Sequence, residues 1–79
     1  MVLEMKLPVL SAKELIQFLS KKGFIITRQK GSHLIMKKII ESKVLVTVVP
    51  LHDKIDNGTL LAIMKQTETK REEIEEYFK

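Results

Sequence analysis

GFIITRQKGSHLIMKKIIESKVLVTVVP, residues 23–50, decides the fold. Phe24 to Gln29 is apolar and partly β-branched, Ser32 to Lys38 supplies a returning run, and Val44 to Val49 is almost wholly β-branched. Such runs, bounded by Gly, Ser and Pro, read as strands. Lys30-Gly31 is short enough to turn the first run back onto the second. With a two-residue turn there, Arg28 faces His33 and Ile26 faces Ile35. Arg28, His33 and Lys37 then share one side of the sheet, and Leu34 and Met36 the other. Ile39 to Lys43 reads as a looser connection with Glu41 and Ser42 at its tip, and Pro50 ends the third strand.

Outward from the sheet, the pattern is helical. Ser11 stands three residues before Glu14, the spacing of a capping box. Leu15, Ile16 and Leu19, with Phe18 close by, form one apolar stripe. Lys21 and Lys22 fall in the last turn, and Gly23 supplies a left-handed cap, so a helix is expected from Ser11 to about Lys22. Met1 to Val9 has no clear period and forms a lead-in, in which Pro8 keeps Leu7 extended. Leu51 to Gly58 is a polar loop. Thr59 is the expected cap of a short helix carrying Leu60, Leu61, Ile63 and Met64. Thr69 and Glu72 form the expected second capping box, ahead of Ile74, Tyr77 and Phe78, which read as packing residues. The fold class is therefore α+β: a helix, a three-stranded antiparallel sheet and a broken C-terminal helix, with the helices on one face.

Seventy-nine residues, 44% of them hydrophobic, make one domain, residues 1–79, with a single thin core. The chain has no cysteine, which excludes disulfides and thiolate metal sites. No apolar run approaches the roughly 20 residues that cross a bilayer, and no signal-peptide pattern opens the chain. A cytoplasmic protein without membrane contact is expected. The formal charge of +4 is unevenly spread. Lys21, Lys22, Arg28, Lys30, Lys37, Lys38, Lys43 and Lys54 gather around the sheet, whereas glutamates dominate from Thr67 onward. A basic stripe suits a polyanion, most simply nucleic acid, while surplus lysine also serves plain solubility.

His33 is the first candidate for chemistry, because an imidazole both takes and gives protons near neutrality. RNA carries its own nucleophile, the 2′-hydroxyl. A protein that cleaves it need add only acid–base groups and positive charge, which Arg28, Lys30 and Lys37 are close enough to provide. Gly31 permits close backbone approach to a phosphate, and Ser32 can donate a hydrogen bond. The competing reading is a hairpin turn with an incidental exposed histidine. His52, beside Asp53 and Lys54, is either a second acid–base group or a loop residue orienting a helix. Asp53 and Asp56 add few metal ligands, and no HExxH, GxSxG, GxGxxG or phosphate-loop pattern is present, so neither a metal nor another cofactor is expected.

Several pieces, taken together and in order, resemble the HicA family of mRNA-interferase toxins from bacterial and archaeal toxin–antitoxin pairs. They are Ser11-Ala12-Lys13-Glu14-Leu15-Ile16 with Leu19, Lys22-Gly23-Phe24, Arg28-Gln29-Lys30-Gly31-Ser32-His33, Val48-Val49-Pro50-Leu51-His52, and Gly58-Thr59-Leu60 with Ile63-Met64-Lys65-Gln66. The resemblance implies a fold like the double-stranded RNA-binding domain, α-β-β-β-α, and metal-independent cleavage of mRNA with His33 as the catalytic histidine. It implies supporting roles for Arg28, Lys30, Gly31 and Ser32, and makes His52 a recurrent position without a firm catalytic role. It also implies a HicB-family antitoxin that covers the site, with operator DNA reached only through the pair. Thr67-Glu68 departs from the family's usual small residue and glycine, which bears on the angle of the last helix. The alternatives are a non-enzymatic RNA-binding module on the same basic sheet and a domain that meets an acidic protein. Gly31-Ser32-His33 discriminates, since holding phosphate is served by lysine or arginine, whereas proton transfer needs the imidazole.

Overall fold

The computed structural model describes residues 7–79, so the part of the lead-in before Leu7 lies outside the described residues. The element order is α1 (Ala12–Lys21), β1 (Ile25–Lys30), β2 (His33–Ile40), β3 (Lys43–Pro50), α2 (Asn57–Gln66) and α3 (Arg71–Tyr77). Helix α1 begins as its sequence dictates. Ser11 Oγ accepts from the Glu14 N–H at 3.1 Å, and Glu14 Oε1 accepts from the Ser11 N–H at 2.9 Å. Gly23 ends it at φ +101°, a conformation that strains any side chain, and the Phe24 N–H returns to the Leu19 carbonyl at 3.0 Å.

The sheet is antiparallel in the order β1-β2-β3. Its first hairpin differs from the expected register. Lys30 faces His33 and Arg28 faces Ile35, so the two turn residues are Gly31 and Ser32 rather than Lys30 and Gly31. Gly31 has φ +58° and Ser32 is not left-handed, the pattern of a turn with glycine first, whose twist matches the strands. A bulge between Ile26 and Arg28 then turns Ile26 opposite Met36 instead of Ile35, with Thr27 Oγ1 donating to the Ile35 carbonyl at 3.2 Å. The second connection is also tighter than expected. β2 runs on to Ile40, and Glu41-Ser42 alone turns it into β3, with Glu41 at φ +53°.

Alternation sorts the two faces. Leu34, Met36, Leu45, Thr47 and Val49 point into the core, where they meet Leu15, Phe18 and Leu19 of α1, Leu60, Ile63 and Met64 of α2, and Ile74 of α3. Thr47 is buried, and its hydroxyl is satisfied by Gln66 Oε1 at 2.7 Å. The other face is open, as one face of an antiparallel sheet can be. It shows His33, Lys37, Ile39, Val44, Val46 and Val48 to solvent. β1 is an edge strand exposed along its length.

The helix caps after the sheet are displaced from their expected positions. Asp56, not Thr59, caps α2, accepting from the Thr59 N–H at 3.1 Å and the Thr59 hydroxyl at 2.6 Å. The hydroxyl bond first, and the N–H bond with it, hold the Asp56 carboxyl below its usual range. Asp wins because Thr59 lies already inside the first turn. Lys70, not Thr69, precedes α3, and Glu73, not Glu72, reaches back to its N–H at 2.7 Å. Thr69 is instead buried, with its hydroxyl bonded to that of Thr67 at 2.7 Å. Thr67 donates to the Ile63 carbonyl at 2.8 Å, and Lys22 Nζ donates to Thr69 at 2.9 Å and pairs with Glu73 at 2.9 Å. This chain of donors ties the end of α1 to the junction of α2 and α3. Tyr77 and Phe78 close on Phe18, with ring centroids 5.2 and 5.9 Å away, as packing residues should. Glu68 takes φ +53°, so it adopts the left-handed turn that a glycine would take more readily.

Candidate active site

The candidate residues gather at the end of the sheet where β1 turns into β2. His33 opens β2 in the middle of the ladder, flanked by Lys30 on β1 and Pro50 on β3. Opposed residues in such a ladder have Cβ atoms about 5 Å apart, so Lys30 lies beside the imidazole. Arg28 is one face-sharing step further along β1, opposite Ile35. Lys37 shares the open face too, but four residues along β2, about 13 Å from His33. Arg28, His33 and Lys37 therefore share one side although the register moved. Lys30 and Arg28 thus lie toward the His33 end of the open face, and Lys37 lies further along it.

Gly31 and Ser32 form the rim. A side chain at Gly31 would meet nothing within 4 Å, so it is backbone conformation, not crowding, that calls for glycine. The turn is braced from two sides. Gln29 Nε2 donates to the Gly31 carbonyl at 3.2 Å, and the Leu51 N–H donates to the Ser32 carbonyl at 2.7 Å. The second bond extends the ladder past Pro50 and draws the next segment toward His33.

His52 lies on that segment, two residues beyond the partner of His33. Its backbone is fixed twice: its N–H donates to the Pro50 carbonyl at 2.8 Å, and its carbonyl accepts from the Ala12 N–H at 2.9 Å. It does orient the start of a helix, but that helix is α1. His52 lines a groove with Lys13, Gln17, Leu51 and Asp53. Thus the fold brings both histidines to one end of the molecule, on neighbouring surfaces. Among the described residues, no group of three His, Asp or Glu side chains comes together that could hold a metal ion.

The pattern described as HicA toxin of bacterial toxin-antitoxin matches residues 12–68, well over half of the chain. The chain belongs to the HicA toxin family. Comparison with curated proteins and with solved structures returned no match. The family match spans α1, the whole sheet and α2, so His33, its basic neighbours and His52 all lie inside the HicA region. The α-β-β-β-α order of this HicA domain, with helices on one sheet face, is the one its sequence implies. No helix of the described residues is long and apolar enough to cross a membrane.

Gln17 was not singled out by sequence, and Lys13 entered only as part of a matching piece, not as a candidate site residue. They stand four apart on the exposed side of α1, a spacing that places them on one face. Helical periodicity alone could have grouped them, but not set them against His52. Gln29 was overlooked as well, because its hydrogen bond to the turn depends on the register.

Proposed function

We propose that this HicA-family chain is a metal-independent endoribonuclease acting on mRNA as the toxin of a toxin–antitoxin pair. The observation that carries the reading is the placing of His33 on the open sheet face directly beside Lys30, with Arg28 one step away. RNA supplies the nucleophile. Its 2′-oxygen bonds to phosphorus, the bond from phosphorus to the 5′-oxygen breaks, and the products are a cyclic phosphate and a 5′-hydroxyl. His33 takes the proton of the 2′-hydroxyl or returns one to the departing 5′-oxygen. Lys30 and Arg28 stabilise the charge that gathers on the phosphoryl oxygens. Gly31 and Ser32 leave the approach open and offer a hydroxyl to the phosphate.

Single-turnover cleavage of a short RNA tests this. His33→Ala should lower the rate by about 100-fold or more while leaving affinity largely intact. EDTA should have no effect, and 2′-deoxyribose at the cleavage position should block the reaction. Undiminished cleavage by His33→Ala, or loss of activity with EDTA that a divalent ion restores, would overturn the mechanism. RNA binding by the wild type without any cleavage would leave an RNA-binding module.

The partner is a HicB-family antitoxin seated over His33, and operator DNA is reached only through that complex. The open face suits such a lid, since Ile39, Val44, Val46 and Val48 are exposed beside its basic residues. A co-expressed complex should purify intact and lack nuclease activity. A complex that cleaves as fast as the isolated chain would rule out masking.

A further inference from the structure

We infer that the groove between α1 and the segment after β3 holds a nucleobase of the RNA whose phosphate lies at His33. The inference rests on the ribonuclease reading and extends it to a neighbouring subsite. The groove has a volume of about 360 Å³, room for one base. Ile16 and Leu51 give its lining an apolar part, and Lys13, Gln17, His52 and Asp53 a polar one. The candidate active site and the groove are joined along the backbone. Pro50 faces His33, Leu51 is bonded to Ser32, and the next residues, His52 and Asp53, already line the groove.

The chemistry of the lining selects the occupant. Of the first three N–H groups of α1, that of Ala12 is taken by the His52 carbonyl and that of Glu14 by Ser11 Oγ, so two of the three are withdrawn from any anion. The Asp53 carboxylate repels a phosphate but accepts hydrogen bonds from the edge of a base. Aliphatic side chains and an imidazole face suit an unstacked ring, as in other proteins that read single-stranded RNA. The carboxamide of Gln17 can both donate and accept, and Lys13 at the margin suits the adjoining backbone phosphate. Among the described residues, none of the Lys13, Gln17, His52 and Asp53 side chains is engaged in a hydrogen bond or ion pair. The backbone beneath is held and the recognition groups are unspent. A carboxylate that only accepts favours the base with two adjacent donors on one edge, guanine, over uracil, which has a single ring N–H.

The test is titration of the ¹⁵N-labelled full chain with guanosine 3′-monophosphate and, separately, with uridine 3′-monophosphate. Shifts should appear at Gln17, Leu51, His52 and Asp53, with the guanosine nucleotide binding about tenfold more tightly. Asp53→Asn should remove that preference and Gln17→Ala should reduce it. Both residues are exposed, so neither change threatens the core. His33→Ala should keep the preference. A silent groove, or equal affinity for the two nucleotides in the wild type, would overturn the inference. Because the titration requires no turnover, the two readings fail separately. Guanosine binding in the groove of a chain that cleaves no RNA upholds the subsite and removes the nuclease reading. Cleavage with a silent groove does the reverse.

Discussion

His33 faces Pro50 across the β2–β3 ladder, and this pairing puts His52 at the same end of the molecule. His52 lies two residues beyond Pro50, and its carbonyl is anchored on the Ala12 N–H. The roles of the two imidazoles can therefore be separated by mutation without moving the backbone, because alanine keeps the anchoring carbonyl.

Replacement of His52 by alanine is expected to act on binding. Loss of one stacking face is worth about 1–3 kcal/mol, so KM should rise roughly tenfold or more while the single-turnover rate at saturation changes little. His33→Ala should show the opposite pattern. A saturating rate reduced equally by both substitutions would instead make His52 the second proton-transfer group.

Glu73 gives the fold a defined response to acid. Partial burial raises its pKa, but the Lys70 N–H, and then the hydrogen bond and charge of Lys22, outweigh that and leave it below its usual value of 4.5. A lowered folded-state pKa contributes stability that is complete above the unfolded value and is lost as pH falls through the folded one. Glu73→Gln should therefore lower Tm relative to the wild type by a constant amount from neutrality to about pH 5. The gap should shrink below pH 4.5. A gap that stays unchanged at pH 3 would mean that the carboxylate charge contributes nothing.

The elements were legible in the sequence because their signals are local. The capping box at Ser11 and Glu14, the β-branched run of β3 and the glycine at position 23 each act within a few residues. The hairpin register was not, because Lys30-Gly31 and Gly31-Ser32 are equally short turns. What decides is the left-handed Gly31 together with an eight-pair ladder to β3. The error was two residues at Arg28, and a shift of two keeps each side chain on its face. That is why Arg28, His33 and Lys37 still share the open side, whereas Ile26, beyond the bulge, does not keep its expected partner. The groove beside His52 had no local signal at all. It exists because Ile55 pairs with Leu10 and His52 bonds to Ala12, contacts between distant parts of the chain.

Glu68 stores backbone strain that can be released. It stands at φ +53°, and its carboxylate pairs with Lys43 across an exposed surface. The left-handed conformation costs a side chain about 1 kcal/mol or more, and an exposed ion pair returns about 0.5 kcal/mol or less. Because the greater freedom of glycine when unfolded costs about 0.5–1 kcal/mol, Glu68→Gly is expected to leave stability within about 0.5 kcal/mol of the wild type and above that of Glu68→Ala. Glu68→Ala, which keeps the strain and loses the pair, should be slightly destabilising, and less so in 1 M salt. Denaturant midpoints that fall equally for both variants would show that the charge, not the backbone, dominates at this turn.

Charge reversal should grade RNA binding by distance from His33. Lys30 lies beside the imidazole, Lys37 is on the same face about 13 Å along β2, and Lys70 and Lys79 belong to the helical side and the chain end. Each lysine that neutralises a phosphate contributes about one counterion to the salt dependence. Lys30→Glu should therefore weaken binding most, and Lys37→Glu next. Each should also reduce the slope of log affinity against log salt by about one. Lys70→Glu and Lys79→Glu should leave both quantities nearly unchanged, and the pairing of Lys79 with Glu76 at 3.6 Å shows that its charge is already partly opposed. Binding constants measured from about 50 to 200 mM salt on one short single-stranded RNA suffice. Four equal effects would mean that the chain attracts RNA through its overall charge rather than through the open sheet face. A larger effect at Lys37 than at Lys30 would move the bound phosphate away from His33 and, with it, the proposed site of cleavage.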